Sequence, residues 1–120
     1  MIHSEAVYRM HEKFKMRHTD IPYSLSEKKF RSICLQEELT EFIDAHDKAE
    51  ELDALVDLIV FAIGTVERMG ISNIDFNTAF DRVMVANLKK QPGPNEKRGF
   101  FPIDLVKPDG WQAPDLSDLV

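Results

Sequence analysis

The fold is decided by residues 50–66, which read EELDALVDLIVFAIGTV. Successive residues of an α-helix advance about 100° around its axis, so the apolar side chains of this stretch point in almost every direction. A helix that is apolar on all sides is buried, and we therefore predict that this one forms the core of an all-α protein. Gly70 follows closely and is typical of the left-handed residue that ends a helix.

Other helices flank this core helix along the chain. A first helix is indicated by apolar residues at helical spacing, namely Val7, Met10 and Phe14. Ser24 and Glu27 stand in the register of an amino-terminal capping box, although the second helix can also begin at Ser26. We predict four helices: the first at residues 4–16, the second ending at about His46, the third running from a joint near Asp47 and Lys48 to Gly70, and the fourth running from Asn73 or Asp75 to about Lys90.

The composition changes from Gln91 onward. Prolines and glycines become frequent and prevent another long helix: Pro92, Gly93, Pro94, Gly99, Pro102, Pro108, Gly110 and Pro114. No stretch of the chain shows a strand pattern. We predict a helical domain over residues 1–90 and an irregular carboxyl-terminal arm over residues 91–120, which packs on the body or on a neighbouring subunit.

Composition excludes several classes of protein. A net charge of −6 argues against a general nucleic-acid binder, because such proteins need a basic surface. The only cysteine, Cys34, excludes an intramolecular disulfide framework. The first residues mix charged with apolar side chains, and the longest apolar stretch, Leu58 to Val66, is too short to span a bilayer. We expect a soluble, cytoplasmic protein without nucleic-acid or membrane partners.

Acidic residues lie on the apolar side of the second predicted helix. The apolar arc of that helix contains Phe30, Cys34, Leu35, Leu39, Phe42 and Ala45. Glu38 and Glu41 fall inside this arc, whereas Glu37 falls near its edge. A surface helix normally carries its carboxylates on the opposite side. Glu38 and Glu41 can pair with Arg31 or a lysine, and Glu37 can be a solvated surface residue, unless a bound cation holds them.

The core helix carries acids as well. Asp53 and Asp57 lie one turn apart on one stripe, and Glu50 lies about 60° from Asp53. Burying unpaired carboxylates costs several kcal/mol each, so such a cluster persists only if a cation neutralises it.

The chemistry of the candidate ligands predicts which cation this is. All of them are oxygen donors, which suit Mg²⁺ or Mn²⁺ rather than zinc or copper. Iron-binding helical bundles use a Glu-x-x-His pair, and no histidine here lies three positions after a glutamate. We predict that the four histidines are surface residues rather than ligands: His3, His11, His18 and His46.

The acidic motifs resemble the EExxE…ExxD signature of the MazG-like superfamily. Residues 37–41 read EELTE, and residues 50–53 read EELD, followed by Asp57. Short bacterial and bacteriophage members are similar over more of the chain, at residues 55–65, 70–71, 85–90 and 104–115. One departure is that the second motif has two overlapping forms, Glu50 with Asp53 and Asp53 with Asp57.

This resemblance implies a four-helix, all-α, MazG-like nucleotide pyrophosphohydrolase. Carboxylates of this superfamily hold magnesium, and water releases a monophosphate and pyrophosphate from a nucleoside triphosphate. The implied metal ligands are Glu38, Glu41, Asp53 and Asp57, and the domain of residues 1–90 would be the catalytic one. Glu37 or Glu50 would be a further ligand or the general base, and Glu38 would also be a catalytic residue.

The resemblance also implies substrate contacts outside the acidic motifs. Asn87 lies on the same arc of the fourth helix as Phe76, Phe80 and Met84, and would hold the nucleotide. Lys89, Lys90 and Lys107 would meet phosphates. Trp111 can stack on a base, although we favour a role in anchoring the arm.

The substrate and the assembly follow from the same reasoning. A core helix in so short a chain needs more cover than one subunit supplies, so we expect a homodimer or homotetramer. The substrate would be a deoxynucleoside triphosphate (dGTP, dCTP or dUTP), hydrolysed to control the nucleotide pool, in the host cytoplasm if a phage encodes the protein. One alternative is hydrolysis of phosphoribosyl-ATP, which the absence of a tyrosine-histidine pair after Asp57 disfavours. Another is a non-catalytic acidic helical adaptor.

Overall fold

The computed structural model describes residues 2–17 and 20–120, and within them the protein is predominantly helical. The four α-helices are α1 (His3–Lys13), α2 (Leu25–Asp44), α3 (Lys48–Arg68) and α4 (Asn73–Asn87). The predicted all-α fold is therefore confirmed. The chain forms two compact units, Met1–Asn73 and Ile74–Val120. None of the helices in the described part of the chain is long and apolar enough to cross a membrane.

The helix ends of the first unit follow from local sequence signals. Ser24 Oγ accepts a hydrogen bond from the Glu27 backbone N–H at 3.4 Å, as the capping box predicts. Gly70 has a φ of 87°, and hydrogen bonds from Gly70 and Ile71 N–H back to Glu67 and Val66 complete the predicted left-handed end of α3. Two of the predicted helix boundaries are thus confirmed.

Helix α1 ends earlier than the apolar spacing predicts. Lys15 has a φ of 57°, and Met16 N–H donates to His11 O at 2.8 Å. This is the hydrogen-bond pattern of a left-handed helix end, with a lysine in the position that glycine usually takes. The predicted end at Met16 was wrong because no glycine marks the turn. The predicted ends of α2 at His46 and of α4 at Lys90 were also late, since these helices stop at Asp44 and Asn87.

Helix α3 is the central element of the first unit, because it packs against both α1 and α2. Its contact with α1 is close at Gly64. A Cβ atom on Gly64 would lie 2.8 Å from His11 Nε2, so only glycine lets the imidazole pack on the helix backbone. His11 is only 2% exposed, and its predicted place on the surface was wrong. His3 and His46 are exposed as predicted, and His18 lies outside the described residues.

The core helix is covered less completely than its sequence predicts. Ala54, Ile63 and Gly64 are buried. Several large apolar side chains of the same helix are nevertheless exposed in the single chain: Leu52, Leu55, Val56 and Ile59. The prediction that this helix is buried on all sides was therefore wrong for the isolated chain. The expected dimer or tetramer, which would supply more cover, stays a prediction.

A half-buried ionic cluster joins the end of α3 to α2 and to the segment before it. Both carboxylate oxygens of Glu27 accept hydrogen bonds from Arg68, each at 2.7 Å. Arg68 also donates to the backbone carbonyl oxygens of Ile21 at 2.7 Å and Met16 at 3.3 Å. Arg68 thus ties the end of α3 to the segment that connects α1 with α2.

The second unit consists of α4 beyond its first residue and the carboxyl-terminal arm. Strands β1 (Gln91–Pro92) and β2 (Leu105–Val106) pair antiparallel, with Gln91 opposite Val106. The sequence showed no strand pattern because two residues are too few for alternation. Short 3₁₀ turns cover Glu96–Arg98 and Ser117–Leu119.

Two contacts anchor the arm to α4. The Arg82 guanidinium donates to both carboxylate oxygens of Asp118, at 2.6 and 3.0 Å. The Trp111 indole N–H donates to the backbone oxygen of Ala86 at 2.7 Å. Both ends of the arm's last segment are therefore held by α4.

Candidate metal centre

Three acids from two helices meet in the first unit. One carboxylate oxygen from each of Glu38, Glu41 and Asp57 lies within 4.8 Å of the other two. Glu38 and Glu41 are one turn apart on α2, and Asp57 faces them from α3. Because α2 and α3 form a packed helical pair, the three carboxylates are held close together by the fold.

Glu38 is the most deeply placed of these acids. The residue is 8% exposed, and its Oε2 atom is buried without a hydrogen-bond partner among the described residues. Burial raises the pKa of Glu38 above its usual value, and the adjacent Glu41 carboxyl and the charges of Asp57 and Asp53 raise it further. A buried acceptor that lacks a donor indicates that something outside the chain satisfies it.

Asp57 is also affected by desolvation and by neighbouring carboxylates. Its pKa is raised mainly by desolvation, and then by the negative charges of Asp53 and Glu41. Asp53 is exposed and does not belong to the group of three close oxygens, but it contributes charge to it. The arrangement concentrates negative charge at one point between α2 and α3.

The alternative that a basic side chain neutralises these acids does not hold within the described residues. Arg31 lies in an ion pair with Glu27 instead, with Nε 3.6 Å from Glu27 Oε2. No ion pair in the described part of the chain involves Glu38, Glu41 or Asp57. The carboxylates are therefore left to attract an external cation.

Glu50 is engaged with the backbone of the joint between α2 and α3. Its Oε2 atom accepts a hydrogen bond from His46 N–H at 2.8 Å, and its own N–H donates to Asp47 Oδ1 at 2.8 Å. These reciprocal bonds form a capping arrangement at the start of α3. Glu50 is also outside the group of three close oxygens, so its geometry favours positioning of the helices over direct metal ligation.

Substitutions at Glu50 test this role. Glu50→Gln keeps an oxygen that can accept from His46 N–H, and we expect nearly normal turnover and a normal magnesium-dependent rise in melting temperature. Glu50→Ala removes the acceptor, and we expect it to destabilise the fold by about 1 kcal/mol, as loss of a helix cap does. Chemical denaturation in chelator measures the second effect. A Glu50→Gln protein that no longer responds to magnesium would instead identify Glu50 as a ligand.

Glu37 differs from its neighbour Glu38. It is exposed, and it lies outside the group of three close oxygens. Its carboxylate, next in sequence to the buried Glu38, is accessible to water. Glu37 can therefore contact a water molecule, but it does not contribute an oxygen to the group of Glu38, Glu41 and Asp57.

The other predicted substrate residues lie in the second unit. The Lys90 and Lys107 ammonium groups lie 5.1 and 4.9 Å from the centre of the Trp111 ring. These cations occupy the ring as cation–π partners, and the indole N–H is bonded to Ala86. Both features favour anchoring over base stacking for Trp111. Lys89 is exposed.

Asn87 ends α4 and is half-buried. The apolar arc on which it was placed is largely open in the single chain, because Phe80 and Met84 are exposed. The predicted contact between Asn87 and the nucleotide stays a prediction.

The apolar arc predicted for α2 was only partly right. Phe30 is 56% exposed and Leu39 is 47% exposed, whereas the buried residues of α2 are Arg31, Cys34 and Glu38. These three are spaced by three and four positions, which is the spacing of one helix face. The sequence placed Cys34 and Glu38 on this face but missed Arg31, because a charged residue does not contribute to an apolar pattern.

Comparison with known proteins identifies the family. A family model described as phosphoribosyl-ATP pyrophosphohydrolase matches residues 7–87, a range that contains all the acids discussed above and Asn87. Searches of curated proteins and of solved structures returned no match. The family is one of pyrophosphohydrolases, which cleave a phosphoanhydride bond of a nucleotide, and this supports the resemblance at the level of the superfamily. Since the match covers more than half of the 120 residues, the chain belongs to this family.

Proposed function

We propose that this member of the phosphoribosyl-ATP pyrophosphohydrolase family is a metal-dependent enzyme that hydrolyses a nucleotide to a monophosphate and pyrophosphate. The observation that carries the proposal is the group of Glu38, Glu41 and Asp57, whose oxygens lie within 4.8 Å of one another, with Glu38 buried, Asp57 half-buried and Glu41 exposed. No described cation pairs with them, and Glu38 Oε2 has no hydrogen-bond partner among the described residues.

The residues present fit a divalent metal ion. All three donors are carboxylate oxygens, which are the ligands that Mg²⁺ and Mn²⁺ prefer. When bound, such an ion would neutralise phosphate charge and activate water for attack. Glu38, Glu41 and Asp57 would hold the ion, and Asp53 would add negative charge beside them.

Other residues would bind substrate and move the proton. The exposed carboxylate of Glu37 would accept a proton from the attacking water, since it is outside the close group and open to solvent. On the second unit, Lys89, Lys90 and Lys107 offer positive charge for phosphate oxygens. Asn87 would donate or accept hydrogen bonds to the nucleotide.

The family match favours phosphoribosyl-ATP as the substrate. One observation favours a (deoxy)nucleoside triphosphate instead, with dGTP, dCTP and dUTP as the first candidates. Asp57 is followed by Leu58, Ile59, Val60 and Phe61, and not by the tyrosine-histidine pair that typical phosphoribosyl-ATP hydrolases carry. Both substrates require the same bond to be cleaved at the same metal centre.

The reaction can be tested by product analysis. We expect pyrophosphate and a monophosphate to form with Mg²⁺ or Mn²⁺ and not to form in excess chelator, because carboxylate oxygens are the ligands that these cations prefer. Phosphoribosyl-ATP and the eight common ribo- and deoxynucleoside triphosphates should be compared in one assay. A nucleoside diphosphate as the main product, or full activity in chelator, would contradict the proposal. Absence of turnover on every nucleotide would favour a non-catalytic adaptor.

A further inference from the structure

A cavity with charged and hydroxyl side chains in its wall lies between α2 and α3, toward the beginning of α2 and the end of α3. Its volume is about 330 Å³. The lining residues are Tyr23, Lys28, Arg31, Ser32, Leu35, Thr65 and Met69. They include two cations and three hydroxyl groups, and no carboxylate. None of the acids of the metal centre lines this cavity.

Arg31 is a buried charged residue in the wall of this cavity. It is 5% exposed, and its Nε atom is buried without a hydrogen-bond partner among the described residues. Its nearest carboxylate is Glu27, at 3.6 Å from Nε. The Phe30 ring centre lies 5.9 Å from its Cζ, and its Nη1 lies 3.4 Å from where a Cβ on Gly64 would be.

Glu27 is shared between Arg31 and a second guanidinium. Both of its oxygens accept hydrogen bonds from Arg68 at 2.7 Å. One carboxylate therefore faces two buried guanidinium groups, and Arg31 is the one left without a short bond. A buried cation in this state favours an additional anion.

We propose that this cavity binds a phosphate group. The planar guanidinium of Arg31 is suited to grip two phosphate oxygens, and Lys28 adds a second positive charge. The hydroxyl groups of Ser32 and Thr65 lie in the same wall. Those hydroxyls donate to the backbone oxygens of Lys28 and Phe61, and their lone pairs stay available to protonated or water-bridged phosphate oxygens.

The phosphate has two sources that share this chemistry. It is either free inorganic phosphate or the phosphate of a phosphoribosyl group. Leu35 and Met69 provide an apolar wall against which a sugar could pack. Comparing inorganic phosphate with ribose 5-phosphate therefore separates the two sources.

The test uses the full chain in excess chelator, so that the acidic group cannot hold phosphate through a metal. Titration calorimetry with each probe, and melting temperatures against potassium chloride at equal ionic strength, report binding. We expect phosphate to raise the melting temperature of the wild type. Lys28→Gln should weaken phosphate binding about tenfold, the effect of losing one charged hydrogen bond, and Arg31→Gln should abolish binding.

Lys29→Gln is the matched control, because Lys29 is an exposed neighbour that does not line the cavity. We expect its phosphate affinity to equal that of the wild type. If Arg31→Gln does not fold, the phosphate affinity of Lys28→Gln is compared with that of Lys29→Gln instead. Tighter binding of ribose 5-phosphate than of phosphate assigns the site to a phosphoribosyl group, and the reverse order assigns it to free phosphate.

Two results would overturn the proposal. One is a wild-type melting temperature that rises no more in phosphate than in chloride. The other is equal phosphate affinity in Lys28→Gln and Lys29→Gln. Neither result bears on the metal centre, which is tested separately by its response to magnesium.

Discussion

Asp57→Asn is expected to lower turnover by orders of magnitude without weakening the metal-free fold. Asp57 supplies one of the three close carboxylate oxygens, and an amide is a poor substitute for a charged ligand. Metal-assisted stabilisation of phosphoryl transfer contributes several kcal/mol to the transition state. Asp53→Asn should lower turnover less, because Asp53 adds charge but no oxygen to the close group.

The metal-free form of Asp57→Asn should be at least as stable as the metal-free wild type, although its turnover is lower. The pKa of Asp57 is raised in the folded protein, so the folded state holds its proton more tightly than the unfolded state does. Stability of the metal-free protein therefore falls as the pH rises through the folded pKa of this group. Asp57→Asn removes this penalty, and its melting temperature in chelator should equal or exceed that of the wild type at neutral pH.

In magnesium, the wild type should melt at a higher temperature than Asp57→Asn. The wild type should gain stability from the ion, because a ligand that binds only the folded state stabilises it by mass action, and Asp57→Asn should gain little. Glu51→Gln serves as the control, since Glu51 is on the same helix and outside the acidic group. A wild type that does not respond to magnesium, together with an Asp57→Asn protein that melts far lower in chelator, would contradict the metal centre.

Much of the helical structure could be predicted because short-range signals carry it. Ser24 with Glu27 fixed the start of α2, and Gly70 fixed the end of α3, since each acts within a few residues. The acids could be found because Glu38 and Glu41 sit where an apolar helix face was expected. That Asp57 meets them across the helix pair followed from the resemblance and not from the spacing.

The polar interior could not be predicted because it depends on long-range partners. Arg31 and His11 are buried because the packing of α1 and α2 on α3 brings both side chains close to Gly64. An arginine or histidine in a sequence is typical of a surface, and nothing within its own helix indicates otherwise. The hydrogen bonds of Glu50 to the joint between α2 and α3 were not predicted, because the acidic motif that contains Glu50 suggested a metal ligand or a general base.

Arg68→Met is expected to be the most destabilising single substitution in the first unit. The side chain is 9% exposed, and it makes short bonds to Glu27, Ile21 and Met16. Methionine keeps the apolar stem but leaves the half-buried Glu27 carboxylate without its main partner. Breaking such a pair costs about 3 kcal/mol, and we expect a loss of this size in the free energy of unfolding.

The pH dependence should change as well. Hydrogen bonds from Arg68 hold the pKa of Glu27 below its usual range. A lowered folded pKa stabilises the protein above the unfolded pKa, and this contribution is lost as the pH falls through the folded pKa. Arg68→Met should therefore lose less stability than the wild type when the pH is lowered through that window.

Arg82→Met is the matched control, because Arg82 binds Asp118 through both carboxylate oxygens in the same way, but at the surface. Solvent and salt screen an exposed pair, so this substitution should cost far less. Urea denaturation of both variants at one protein concentration, at neutral and acidic pH, measures the difference. Equal losses for Arg68→Met and Arg82→Met would mean that burial adds nothing to the Glu27 pair. Arg31, which already lies 3.6 Å from Glu27, would then compensate for the lost partner.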